Sequence, residues 1–192
     1  MDTNILFDYF WAEFTKNRFP AHRNFPEPQS NALALFSRFK EHDFKLNLSD
    51  WSFWELKEIV TSQLFQHKCI SLGYHMPQDY HRALSDKVPE LEKEELETFY
   101  SLVASLKNSL ESAEFFPLDY KKIDELVDSG CGFIDSILFL QACKNNCDYF
   151  VTRDERFIRK IIPILIKEKI ETKPILLKDF FAEIQLGISH GG

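Results

Sequence analysis

Two acidic residues of the sequence fall on the apolar faces of predicted helices, where an isolated charge is costly to bury. Leu138 and Phe139 follow Asp135 at three and four residues, which places its carboxylate in line with an apolar stripe. Glu55 lies one turn before Ile59, on the rim of another apolar face. Asp135 therefore needs a partner or a ligand, and Glu55 is expected to be semi-buried.

Two further acids flank predicted strand and helix ends. Asp154 comes two residues after Thr152, at the carboxyl end of the apolar segment 149–151, which is where an open α/β sheet binds its ligands. Asp2 opens the segment Asp2-Thr3-Asn4, immediately ahead of an apolar run. Each acid has an ordinary alternative: Asp2 and Asp154 could be helix N-caps, and Asp135 could be a first-turn acid. Glu55 could simply be solvated at the rim of its helix.

Taken together, the four acids predict a cation site, because helix starts and strand ends of a parallel sheet cluster at one edge. Carboxylates about 5 Å apart repel one another by about 3 kcal/mol per pair at an effective dielectric constant of about 20. Such a cluster stays ionised only around a cation. An all-oxygen ligand set favours Mg²⁺ or Mn²⁺ over zinc, which prefers His or Cys.

Alternating helices and short strands would position these acids. Helices are predicted near 12–16, 31–40, 51–65, 133–145, 155–162 and 179–186, and strands near 44–48, 149–152 and 174–177. The alternation predicts a single α/β domain over residues 1–192, with a largely parallel sheet.

The stretch 66–129 breaks this alternation, since it contains no convincing strand, and we expect a mainly helical insertion there. Within it, apolar residues step by three and four along one helix face: Leu96, Phe99, Val103, Leu106 and Leu110. This stripe favours packing on the domain's own core, and the alternative is a dimer seam.

The charge balance argues against a protein held to nucleic acid by bulk positive charge, since the net charge of the 192 residues is −7. A local basic patch beside Asp154 could still bind RNA, and it comprises Arg153, Arg156, Arg159 and Lys160. No apolar stretch is long enough for a membrane span, and the N-terminal residues lack the pattern of a signal peptide. We therefore expect a cytoplasmic protein that has no contact with a membrane.

Several of these motifs together resemble a PIN (PilT N-terminal) domain. They are residues 2–6 (Asp-Thr-Asn-Ile-Leu), Glu55 six residues after Ser49, residues 135–142 (Asp-Ser-Ile-Leu-Phe-Leu-Gln-Ala) and residues 150–157 (Phe-Val-Thr-Arg-Asp-Glu-Arg-Phe). The last segment is the most specific. The resemblance covers about residues 2–60 and 130–180 and leaves the insertion unexplained.

The resemblance implies a metal-dependent endoribonuclease with a three-layer α/β/α sandwich and a mostly parallel central sheet. By position, the family's catalytic and metal-binding quartet corresponds to Asp2, Glu55, Asp135 and Asp154. Its polar supporting residues correspond to Asn4 and Thr152. The family includes toxins of type II toxin–antitoxin pairs, so the implied partners are RNA, an antitoxin-like protein and a second copy of the chain.

The sequence departs from the family pattern at its first ligand. Family members usually carry an apolar strand before the first Asp, and here Met1 alone precedes Asp2. This departure supports an alternative in which the chain is a non-catalytic PIN-like interaction module with a vestigial acidic site.

Overall fold

Helices alternate with short strands in the computed structural model, which describes residues 1–18, 27–41, 45–73, 93–109, 111–112 and 114–189. The helices of these residues are α1 Thr3–Arg18, α2 Glu27–Glu41, α3 Asp50–Ser71, α4 Lys93–Ser109, α5 Tyr120–Asp128, α6 Phe133–Lys144, α7 Glu155–Glu168 and α8 Leu177–Ser189. The strands are β1 Asn47–Leu48, β2 Glu111–Ser112, β3 Tyr149–Thr152 and β4 Lys173–Leu176. The described part is thus mostly helical with short parallel strands, an α/β arrangement.

The strands of the described residues form two parallel pairs, β1 with β2 and β3 with β4. The first two residues of the chain link the pairs. The amino group of Met1 donates a long hydrogen bond of 3.5 Å to the carbonyl oxygen of Asn47. The amide of Asp2 donates to the carbonyl oxygen of Val151 at 2.9 Å. The described residues therefore form two parallel strand pairs that residues 1 and 2 connect, and not one continuous central sheet.

Helices cover both faces of the β3–β4 pair. Side chains alternate along a strand, so neighbouring residues of β3 contact different helices. Phe150 is fully buried against Phe139 of α6 and Phe157 of α7, with ring centroids 5.6 Å away in each case. Val151 points the other way, into a core that it shares with Ile5 of α1 and with α2, α3 and α4. The end of β3 is thus held between two apolar layers.

The apolar stripe of the predicted insertion packs on the domain's own core. Phe99 and Leu106 of α4 are buried, and the ring of Phe99 lies 5.9 Å from that of Phe10. Leu96 and Val103 are half-buried. Leu110 lies outside the described residues. The expectation that this stripe packs internally is confirmed for the residues that the structure describes.

Some elements begin or end away from their predicted positions. Helix α1 starts at Thr3 because Asp2 Oδ1 accepts the amide of Asn4 and so caps the first turn. Helix α7 continues past Pro163 to Glu168. Ile164 and Leu165 extend the same apolar contact that Ile161 makes, and this packing offsets the hydrogen bond that a proline removes.

Strands β1 and β2 have two residues each, which is too short for a sequence pattern to define their ends. The strand expected at 44–48 comprises Asn47–Leu48, and Phe44 lies outside the described residues. Strand β2, Glu111–Ser112, falls within the stretch where no strand was expected. Two residues are too few for an alternating pattern.

The aromatic cluster beneath β3 can be tested by truncation. We expect Phe150→Ala to lower the free energy of unfolding by about 3 to 5 kcal/mol, because it leaves a cavity against two rings. Urea denaturation followed by circular dichroism measures this. The matched control is Phe133→Ala, at a side chain that is 51% exposed, which should cost about 0.5 kcal/mol or less. Equal losses in the two variants would contradict the packing described for β3.

Candidate metal centre

Asp2 is anchored at the junction of α1 and β3. Its carboxylate is buried, and Oδ1 accepts hydrogen bonds from the backbone amide and the side-chain amide of Asn4, at 3.0 and 3.4 Å. Oδ2 accepts the hydroxyl of Thr152 at 2.6 Å. The structure therefore places both expected supporting residues, Asn4 and Thr152, directly on Asp2.

Asp154 is the N-cap of α7. Its Oδ1 accepts the backbone amides of Arg156 and Phe157 at 2.7 and 3.1 Å. Its own amide donates to the Thr152 hydroxyl at 3.0 Å. The same hydroxyl thus donates to Asp2 and accepts from Asp154, which fixes the two acidic residues relative to each other.

Asp135 lies in the first turn of α6, within electrostatic reach of the other three acids. Burial, together with the charges of Asp2, Asp154 and Glu55, raises the pKa of Asp135 to about 6. Its carboxylate makes no hydrogen bond to any residue that the structure describes. The acids selected from the sequence are therefore close enough to act on one another electrostatically.

Glu55 reaches the same region from α3. Burial raises the pKa of Glu55, the nearby hydroxyl of Thr3 opposes this shift, and the charge of Asp2 adds to it. Within the described residues, the hydroxyl oxygen of Ser52 on the same helix is buried without a hydrogen-bond partner. An unsatisfied buried hydroxyl costs about 1 to 3 kcal/mol.

The cluster is not arranged as a finished coordination shell. Among the described residues, no three His, Cys, Asp or Glu side chains are grouped so that they could hold a metal ion. The oxygens of Asp2 and Asp154 are also engaged by Asn4, Thr152 and the first turn of α7. A cation would have to compete with these hydrogen bonds or draw the acids closer together.

The basic residue nearest to the acids has a structural partner. A guanidinium nitrogen of Arg153 lies 2.6 Å from a carboxylate oxygen of Asp8, which is 3% exposed. Asp8 is not among the acids that were predicted from the sequence. The sequence pattern could have identified it, because Asp8 is an acid within an apolar run, three residues after Ile5 and four before Ala12. Arg153 thus ties the loop after β3 to α1.

The other predicted RNA-binding residues lie on the exposed face of α7. Arg156, Arg159 and Lys160 are all exposed. The side chain of Lys160 passes beside Gly130, and its charge acts on the thiol of Cys131, as do the charges of Asp135 and Asp154. Lys160 therefore lies next to the acidic cluster.

No family model, curated protein or solved structure matches this chain. Among the described helices, none is long and apolar enough to cross a membrane. The function must therefore be inferred from the site itself.

The Asp8–Arg153 pair gives a pH-dependent test. Burial raises the pKa of Asp8 and Arg153 opposes that rise, so removing Arg153 raises the pKa further. An acid whose pKa is raised by folding stabilises the protein at low pH and loses this contribution as the pH rises through the folded-state value.

We therefore expect Arg153→Gln to lower the free energy of unfolding by about 1 to 3 kcal/mol at pH 7 and by less at pH 4.5. Urea denaturation at both values measures the difference. The control introduces Arg153→Gln into the Asp8→Asn variant, where the loss relative to Asp8→Asn should not depend on pH in this range. A loss in Arg153→Gln that is equally large at pH 4.5 would place its cause elsewhere.

Proposed function

We propose that this chain is a Mg²⁺- or Mn²⁺-dependent endoribonuclease that hydrolyses RNA phosphodiester bonds. The observation that carries the proposal is that the charges of Asp2, Asp154 and Glu55 all act on the carboxylate of Asp135. These residues were selected from the sequence at positions up to 152 residues apart (154 − 2). An arrangement that is electrostatically costly in this way is typical of functional sites.

The donor set fits a hard divalent cation. All four side chains offer carboxylate oxygens, which suit Mg²⁺ or Mn²⁺. The Asp135 carboxylate has no hydrogen-bond partner among the described residues, which supports a polar ligand at this place. Asp135, Asp2 and Glu55 are the proposed ligands, with Asp154 as the fourth.

The residues around the acids would hold and orient the reacting groups. When bound, the cation lowers the pKa of a water molecule and stabilises negative charge on the phosphate. Thr152 keeps the Asp2 carboxylate fixed, and Asp154 holds the start of α7, from which Arg156, Arg159 and Lys160 extend. A phosphate lying along α7 would thus be presented beside the acids.

A PIN-like α/β/α sandwich is the architecture that we propose for this site. Residues 1 and 2 bridge the two parallel strand pairs, as a short central strand would. Helices lie on both faces of β3 and β4. These features support the architecture because the PIN-like sandwich has a parallel sheet between helical layers.

Metal binding and RNA cleavage test the proposal together. We expect calorimetry to show micromolar Mn²⁺ binding by the wild type, and Asp135→Asn to abolish both binding and cleavage of a single-stranded RNA. The control Asp124→Asn changes an exposed acid on α5 and should leave both intact. Cleavage by Asp135→Asn at the wild-type rate, with Mn²⁺ present, would contradict the assigned role of Asp135.

A second function is favoured by one observation, the lack of a ready metal-binding group among the described residues. In this alternative, the chain is a non-catalytic PIN-like interaction module that binds an antitoxin-like protein or a second copy. Trp54, which is 68% exposed beside Glu55, would suit a protein contact. Wild-type protein that binds no Mn²⁺ at millimolar concentration would support this alternative over the nuclease.

The exposed face of α7 is the proposed path of the RNA backbone. Each phosphate contact contributes about 0.7 to the slope of log affinity against log salt for a single strand. We expect changing Arg156 and Arg159 together to Gln to flatten the slope by about 1.4, because two contacts are lost. Fluorescence anisotropy with a labelled RNA in EDTA measures binding without cleavage.

The charge-matched control for this experiment changes Lys167 and Lys169 to Gln at the far end of the same helix. Both lysines are exposed, so the net charge falls equally while the proposed path is left intact. If the salt slope of RNA binding changed equally in both double variants, RNA binding would depend only on the net charge, and the proposed path along α7 would be wrong.

A further inference from the structure

We infer that Gly132 is a positioning residue for the carboxylate of Asp135, an inference that rests on the proposed function. Gly132 is the N-cap of α6, three residues before Asp135. A Cβ atom built on Gly132 would overlap Oδ2 of Asp135 and come within 3.3 Å of its Cγ. The carboxylate therefore occupies the space that a side chain at position 132 would fill.

The backbone at Gly132 does not itself require glycine. Its φ of −65° and ψ of 145° are ordinary values for any residue. Ser, Thr, Asp and Asn are preferred at an N-cap because their side chains accept an amide of the first turn, and Gly132 offers no such bond. The close approach of Asp135 is the feature that explains a glycine at this position.

Gly132 is also fixed in place, so the overlap cannot be relieved by moving the backbone. The carbonyl oxygen of Gly132 accepts both the amide and the hydroxyl of Ser136, at 2.9 and 2.7 Å. Ser136 is fully buried. On the other side, the amide of Cys131 donates to the carbonyl of Leu126. A side chain at position 132 would therefore displace the Asp135 carboxylate from the position that it occupies in this structure.

The test compares Gly132→Ala and Gly132→Ser with the wild type in three measurements. They are the Asp135 χ1 rotamer from NMR coupling constants in metal-free protein, Mn²⁺ affinity by calorimetry, and RNA cleavage as a function of Mn²⁺. The serine variant separates positioning from stability, because serine is a favoured N-cap and should not lower the melting temperature. The control Asp119→Ala removes the N-cap of α5, away from the acids.

We expect both Gly132 variants to change the Asp135 rotamer and to weaken Mn²⁺ binding by about 10-fold to 100-fold, the usual cost of disturbing a ligand's support. Cleavage should fall at low Mn²⁺ and recover in part at high Mn²⁺. Asp119→Ala should lower the melting temperature and leave Mn²⁺ affinity unchanged.

The outcomes separate this inference from the proposed function. An unchanged Asp135 rotamer, or unchanged Mn²⁺ affinity in both Gly132 variants, overturns the role of Gly132 alone. Wild-type protein that binds no Mn²⁺ overturns the proposed function and the positioning role together, even where the rotamer changes.

Discussion

The hydroxyl of Thr152 makes the contact on which the acidic edge depends. It donates to the carboxylate of Asp2 and accepts the amide of Asp154, so one oxygen joins the start of the chain to the start of α7. The side chain is 1% exposed, which keeps water from competing for either bond. A hydrogen bond to a carboxylate is stronger than one between neutral groups. The position of Asp2 relative to Asp154 follows from this single residue.

The remaining acids are brought in by the packing of the helices that carry them. Glu55 and Asp135 are carried by α3 and α6, whose apolar faces are buried against opposite sides of β3. The hydrophobic contacts of these helices hold two carboxylates near Asp2 although their charges repel. The free energy of hydrophobic packing thus keeps these carboxylates close together although their negative charges repel one another.

The acidic residues of the candidate site, and whether a segment forms a helix or a strand, could be predicted from the sequence because both depend on local patterns. Strand β3 was located correctly, since its apolar residues are bounded by polar ones on both sides. The division of the strands into two pairs could not be predicted, because β2 is two residues long and its pairing depends on tertiary contacts. The partnership of Asp8 with Arg153 and the glycine beside Asp135 also involve distances that spacing along one helix does not reveal.

The bridge formed by residues 1 and 2 joins the two strand pairs at Asp2. Each strand pair keeps its own ladder of hydrogen bonds, while the bridging residues contribute one such bond to each pair. Helix α3, which carries Glu55, packs in a core that contains residues of both β1 and β3, so it spans the two pairs. A displacement of one pair relative to the other would therefore act first on the two bridging hydrogen bonds, and through them on the residue that begins the acidic edge.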